Sequence, residues 1–138
     1  MKPIHALILA AGLVASPALL AHDHGQVAPN GGQLREVNGF DYELVVAKDS
    51  RDVKENPVVV YVTAHDGGKV PTVGATGSAT VLSGKLKMTV ALKPDGDNRL
   101  KGSALYASVA DLKVVVSITL TGKPTGQARF TPLTPASK

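Results

Sequence analysis

From Phe40 onward the chain keeps returning to a period of two. Phe40, Tyr42, Leu44 and Val46 alternate with Asp41, Glu43 and Val45, and Val58, Val60 and Val62 alternate with Val59, Tyr61 and Thr63. Leu86, Met88, Val90 and Leu92 alternate with lysines and small residues, and Leu112, Val114, Val116, Ile118 and Leu120 with Lys113, Val115, Ser117 and Thr119. Such alternation, rich in valine and threonine, marks strands with one face in a core and the other toward water. Gln33–Val37, Gly77–Leu82 and Gln127–Thr131 are weaker runs of the same kind.

Turn chemistry stands where the alternation stops. Asn38-Gly39 divides the first two runs, and an Asn-Gly pair so placed is the strongest short hairpin signal. Asp66-Gly67-Gly68, Ser83-Gly84, Pro94-Asp95-Gly96-Asp97 and the 122–126 stretch supply further breaks. About seven strands separated by turns every 8–12 residues predict an all-β fold, an antiparallel β-sandwich. Only Ser103–Ala110 has the composition for a short helical turn.

The first residues have another pattern. Met1-Lys2-Pro3 precedes a mostly apolar run from Ile4 to Leu20, then Ala21 and an abrupt switch to His22-Asp23-His24. A basic start, an apolar centre and small residues before a polar turn are the parts of a secretory signal peptide. Gly12, Ser16 and Pro17 interrupt the run, which falls short of the roughly 20 apolar residues that span a bilayer. Residues 1–21 are expected to be the signal, with cleavage after Ala21 favoured over cleavage after Ala18. Residues 22–32, rich in glycine and without periodicity, are expected to form a flexible arm. Residues 33–131 would be the β domain and residues 132–138, with two prolines, a frayed tail. The protein is accordingly expected in the periplasm or outside the cell, with no membrane insertion after cleavage.

The chain has no cysteine, which excludes disulfides, thiolate metal sites and cysteine nucleophiles. Its net charge of +4 comes from scattered lysines without basic blocks or interleaved aromatics, so nucleic-acid binding has little support. There is no Gly-x-Ser-x-Gly turn, no histidine in a triad context, no phosphate-binding glycine loop and no carboxylate pair set for acid–base work. The expectation is a protein that is not an enzyme. Three tyrosines, two phenylalanines and no tryptophan also make a poor platform for sugars.

Chemistry concentrates on histidine. Beyond the leader there are three: His22, His24 and His65. Cleavage after Ala21 would put a free amine on His22 and an imidazole at the third position. The amine, two deprotonated amides and that imidazole can then form a planar four-nitrogen cage, a geometry suited to Cu(II) and Ni(II). Alternatively His22 chelates through its amine and ring, with His24 or His65 completing the site and Asp23 as carboxylate or spacer. The plainer alternative is that these are ordinary solvated residues of an arm. His65 closes the Val58–Ala64 strand with the parity of Val59, Tyr61 and Thr63, the less buried side. Asp66 reads as a turn residue and Met88 as a core gap-filler.

The run Asn30-Gly31-Gly32-Gln33-Leu34-Arg35-Glu36-Val37, then Gly39-Phe40-Asp41-Tyr42-Glu43-Leu44-Val45, resembles small periplasmic proteins associated with heavy-metal efflux. Val60-Tyr61-Val62-Thr63-Ala64-His65-Asp66-Gly67-Gly68-Lys69 and Gly74-Ala75-Thr76 continue the likeness, which spans roughly residues 22–102. The same pattern is similar to the N-terminal β domain of some periplasmic adaptor subunits of metal-exporting pumps. The resemblance implies a periplasmic, metal-responsive role in resistance to copper, cobalt, nickel or zinc. In those relatives a histidine usually precedes the first glycine pair; here Asn30 stands there, a poor ligand for these metals.

The sequence thus leads to a periplasmic divalent-metal-binding protein, Cu(II) favoured and Ni(II), Co(II) or Zn(II) as alternatives. Its metal ligands would be His22, Asp23, His24 and His65, and its protein partner a periplasmic efflux component. The alternative is an exported β-sandwich interaction module without a metal site.

Overall fold

In a computed structural model of the protein, residues 28–135 are described. They form eight strands: β1 (Gln33–Val37), β2 (Phe40–Val46), β3 (Lys54–Ala64), β4 (Thr76–Ser83), β5 (Leu86–Pro94), β6 (Arg99–Tyr106), β7 (Lys113–Thr119) and β8 (Gly126–Phe130). All pairings are antiparallel, in one continuous order β1-β2-β3-β6-β5-β4-β7-β8. The all-β antiparallel expectation holds. The count is eight rather than seven, and the hydrogen-bonded order runs unbroken from β1 to β8.

The extra strand is β6, and the helical turn expected over Ser103–Ala110 does not form. Ser103–Tyr106 is strand, and the chain then turns through Ala107–Leu112 on the bonds Val109 N–H to Ala107 O and Leu112 N–H to Val109 O. The inward positions of β6 are Leu100, Gly102, Ala104 and Tyr106, too small in the middle to display the period. Packing explains the small residues. A Cβ at position 102 would collide with the carbonyl oxygen of Ala91 on β5, so the tertiary neighbour, not strand propensity, selects glycine there.

The outer strands of the order, β1 and β8, are drawn together by side chains. Thr131 N–H donates to Gln33 Oε1 at 2.8 Å and Arg35 Nε donates to the Arg129 carbonyl at 3.1 Å. The Arg35 guanidinium also lies 5.8 Å from the centre of the Phe130 ring, within cation–π range. The sheet therefore comes close to a barrel around one core, with Leu44, Val60, Leu100, Leu112, Val116 and Phe130 among its buried members. Each such side chain contributes roughly 1.5–3 kcal/mol through removal from water. Met88 lies half-buried against this core, as a gap-filler should, and its sulfur accepts the Leu105 N–H.

The outer face of β2 is organised by the first hairpin. Asn38 (φ 52°) and Gly39 (φ 82°) both take the left-handed conformation, as a two-residue type I′ turn requires, and this fixes Val37 opposite Phe40. The register then sets Glu36 against Asp41 and Leu34 against Glu43. On the far side of β2, Asp41 faces Thr63 and Glu43 faces Tyr61 of β3. Glu36, Asp41, Glu43 and Thr63 thus share the side of the sheet away from the core.

At the other end of β3 the buried Tyr106 hydroxyl donates to the Pro57 carbonyl and accepts the Ala47 N–H at 2.9 Å. Burial holds this phenol above its ordinary pKa, opposed by the bond from Ala47, so it stays neutral and bridging. Pro57 is tolerated within β3 because β2 ends at Val46, opposite Val58, leaving the proline with β6 alone as neighbour. Replacing Tyr106 by Phe leaves the Ala47 N–H and Pro57 C=O without that partner. It should cost about 1–3 kcal/mol in a urea denaturation with the slope unchanged.

Candidate metal centre

The side of β2 that should face water carries two hidden carboxylates. Glu43 is 2% exposed and Asp41 8%. An ionised carboxylate out of water is costly unless it is hydrogen-bonded, paired or bound to a metal. The two are treated differently.

Glu43 is satisfied by the chain ahead of β1. Asn30 N–H donates to both of its oxygens, at 2.9 and 3.2 Å, Asn30 Nδ2 donates at 2.9 Å and Gly32 N–H at 2.9 Å. Lys48 Nζ donates to the Gly31 carbonyl at 2.6 Å from the other side. Bonds to an ionised acceptor are roughly twice as strong as neutral ones. Gly32 is required by proximity: a Cβ there would strike the carbonyl of Leu44. The Asn30-Gly31-Gly32 motif therefore works as a clamp on Glu43. Asn30 is a donor, not a ligand, and the last part of the expected arm lies bound against β2.

Asp41 has no such help. None of the side-chain hydrogen bonds among the described residues ends on its carboxylate, and the one ion pair there joins Arg99 to Asp95 at 2.9 Å. Instead it meets two other potential ligands. One ligand atom each from Glu36, Asp41 and His65 lies within 4.8 Å of the others. Asp41, Thr63, His65, Asp66 and Gly67, with Pro29 and Leu34, line an open hollow of about 310 Å³.

His65 is held there by a turn that forms without reference to any ion. Ala64 N–H donates to Gly68 O and Gly67 N–H to Ala64 O, and Thr63 bridges to Lys69. Asp66 Oδ1 accepts the Gly68 N–H at 2.9 Å, the Asx-turn role expected of it. The imidazole and Glu36 are exposed and Asp41 is largely covered; Asp41 and His65 line the hollow and Glu36 stands beside them. Bond lengths of about 2.0–2.2 Å to nitrogen and carboxylate oxygen put ligand atoms roughly 3–3.5 Å apart around one tetrahedral ion. Rotamer changes in the exposed Glu36 and His65 can supply the remaining closure.

Of the ligands expected from the sequence, His65 belongs to this cluster, while His22, Asp23 and His24 lie outside the described residues. Glu36 and Asp41 are not among those expected ligands. Along the chain each is one polar residue of an alternating strand, and only the Val37–Phe40 turn register brings them face to face. No protein-family model matches the chain, and comparison with curated proteins and with solved structures likewise gives no match.

Two carboxylates and an acidic turn residue around one hollow repel one another when no cation is bound. Asp41→Asn removes the buried member of that set. It should raise metal-free stability by about 0.5–2 kcal/mol, measured by denaturation in EDTA.

Proposed function

We propose that the protein is a periplasmic binder of a divalent transition metal, acting in metal resistance or efflux. The observation that carries this is the convergence of Glu36, Asp41 and His65, whose ligand atoms lie within 4.8 Å of one another, with Asp41 and His65 lining one open hollow. No buried side-chain oxygen of the described residues lacks a partner, so what the cluster offers an ion is three ligand atoms within reach of one another rather than an orphaned charge. The expected arm donors His22, Asp23 and His24 would add imidazole and carboxylate to the protein's ligand set. A mixed imidazole–carboxylate set suits Cu(II), Zn(II), Ni(II) and Co(II), with Cu(II) the tightest in the Irving–Williams order. Export by the leader, the resemblance to metal-efflux accessory proteins and the absence of thiols, which would select Cu(I), all agree with an oxidised periplasmic ion as cargo. The β domain, in this view a sandwich-like frame, presents the site and docks on an efflux component; no catalytic step is assigned.

A second reading, an interaction module without metal, draws on β5. Its pairing with β6 is confined to Lys93 and Pro94, so the stretch from Leu86 to Leu92 has a ladder partner only in β4 among the described residues. β6 nonetheless flanks that stretch at Met88 and Ala91, so a partner would meet its exposed face, Lys87 and Thr89, rather than a free edge. That module would bind its partner equally well with and without chelator.

Cu(II) titration of the mature protein decides between them. The expected result is uptake of about one equivalent, with His65→Ala and Asp41→Asn each weakening binding at least about tenfold. Affinity unchanged in both variants would remove the cluster from the function.

A further inference from the structure

Three exposed large hydrophobic side chains gather at one end of the rolled sheet, the end away from His65. Val53 is 56% exposed, Leu86 37% and Leu105 42%. They belong to three neighbouring stretches. Lys54, next to Val53, faces Tyr106 at the end of β6, so Val53 and Leu105 lie at one level of the sheet. Leu105 N–H donates to Met88 Sδ at 3.4 Å, which brings β6 beside the start of β5. There β5 leaves a tight turn in which Gly84 holds φ 59° and Ser83 faces Leu86. Leu86 heads the inward row of β5 yet stays outside the core, which takes in Met88 and Val90.

Lysines are set among these apolar groups. Lys85 stands in the turn itself, and Leu82 of β4 pairs with Lys87 on one side and Lys113 on the other. All three lysines are exposed, and the one ion pair among the described residues joins Arg99 to Asp95 elsewhere. Carboxylates mark the border: Glu55 lies opposite Leu105, and Asp111 precedes β7.

We infer that this end of the sheet is a docking surface for an anionic phospholipid bilayer. The protein rests on the headgroups there without crossing them. Lys85, Lys87 and Lys113 meet the phosphates, and Val53, Leu86 and Leu105 reach the apolar boundary beneath. Lysine suits that position because its stem lies along apolar surface while the ammonium stays at the polar level. Composition separates a bilayer from a protein partner. Protein interfaces deplete lysine, and their hot spots favour tryptophan, tyrosine and arginine over leucine and valine. Aliphatic groups interleaved with lysines are what an anionic bilayer surface attracts. The hollows lined by His65 and by Lys123 lie at the opposite end, beyond the far ends of β3 and β7, and so remain in water. Docking is therefore independent of the metal reading.

The test is co-sedimentation of the mature protein, in EDTA, with vesicles of phosphatidylcholine alone or mixed with an equal part of phosphatidylglycerol. Binding is expected on the mixed vesicles only, and it should weaken as salt is added. The double variant Lys87→Glu/Lys113→Glu should lower the partition at least about tenfold. Leu86→Ser/Leu105→Ser should lower it about five- to tenfold. Lys69→Glu/Lys123→Glu makes the same change of net charge at the opposite end and should alter it by less than about threefold. Circular dichroism and urea denaturation would verify the fold of each variant. Equal losses in the two lysine pairs would overturn the docking surface by reducing it to net charge. Wild-type protein that ignores the mixed vesicles would also overturn it, and would leave this end to an acidic protein partner.

Discussion

An eight-stranded sheet without a single disulfide can hide its apolar face only by rolling over onto it. The rest of the architecture depends on that closure. The strand order carries β1 and β8 to opposite ends of the path, yet the roll brings them back together, where Arg35 and Gln33 reach across to the backbone of β8. Two side-chain hydrogen bonds, one donated by Arg35 and one accepted by Gln33, seal this seam in place of a full ladder. At the other narrow place β5 and β6 approach so closely that only glycine fits at position 102. Curvature is thus written partly in long polar side chains and partly in missing ones.

Rolling also assigns a duty to every strand position. Once Tyr42, Leu44 and Val46 turn inward, Asp41, Glu43 and Val45 must turn outward, because the period of two allows nothing else. Two outward residues being buried is therefore a nonlocal event: something covers them. For Glu43 the cover is the Asn30–Gly32 segment, whose backbone donors neutralise the carboxylate without any cation. For Asp41 the neighbours are Glu36 and His65, and its side chain lines the open hollow beside them. On one strand, two residues apart, one carboxylate serves structure and the other is left available.

Much of the frame is legible in the order of residues. The Asn38-Gly39 turn, the runs of β2, β3, β5 and β7, and the outward parity of His65 all come from periods and turn chemistry, which are local. What escapes a linear reading is nonlocal. β6 has Gly102 and Ala104 where a strand normally shows bulk, because its inward size is set by Ala91 across the sheet. Glu36 and Asp41 are ordinary polar positions until the turn register places them opposite each other, and His65 joins them only because β3 lies beside β2 at that register. The Asn-Gly-Gly motif is visible, but its partner Glu43 lies a whole hairpin away. Histidines that cluster along the chain point to its amino end, whereas the side chains that cluster in the fold, Glu36, Asp41 and His65, arrive one from each of three strands or turns.

The distribution of rigidity between those segments fits a capturing site. His65 stands on a turn already fixed by the Asp66 Oδ1 bond and the Thr63–Lys69 bridge, and Glu36 and Asp41 flank a turn whose two residues hold left-handed conformations. The backbone under all three side chains is therefore set by bonds that need no ion, and the proposed binding would require only short side-chain motions. Such preorganisation lowers the entropy that binding must overcome. Its cost is charge repulsion in the metal-free state, which the fold tolerates because Glu43, the deepest carboxylate, is fully satisfied elsewhere. The clamp that quenches Glu43 also holds Pro29 against the hollow, so one set of hydrogen bonds serves both places on the outer face of β2.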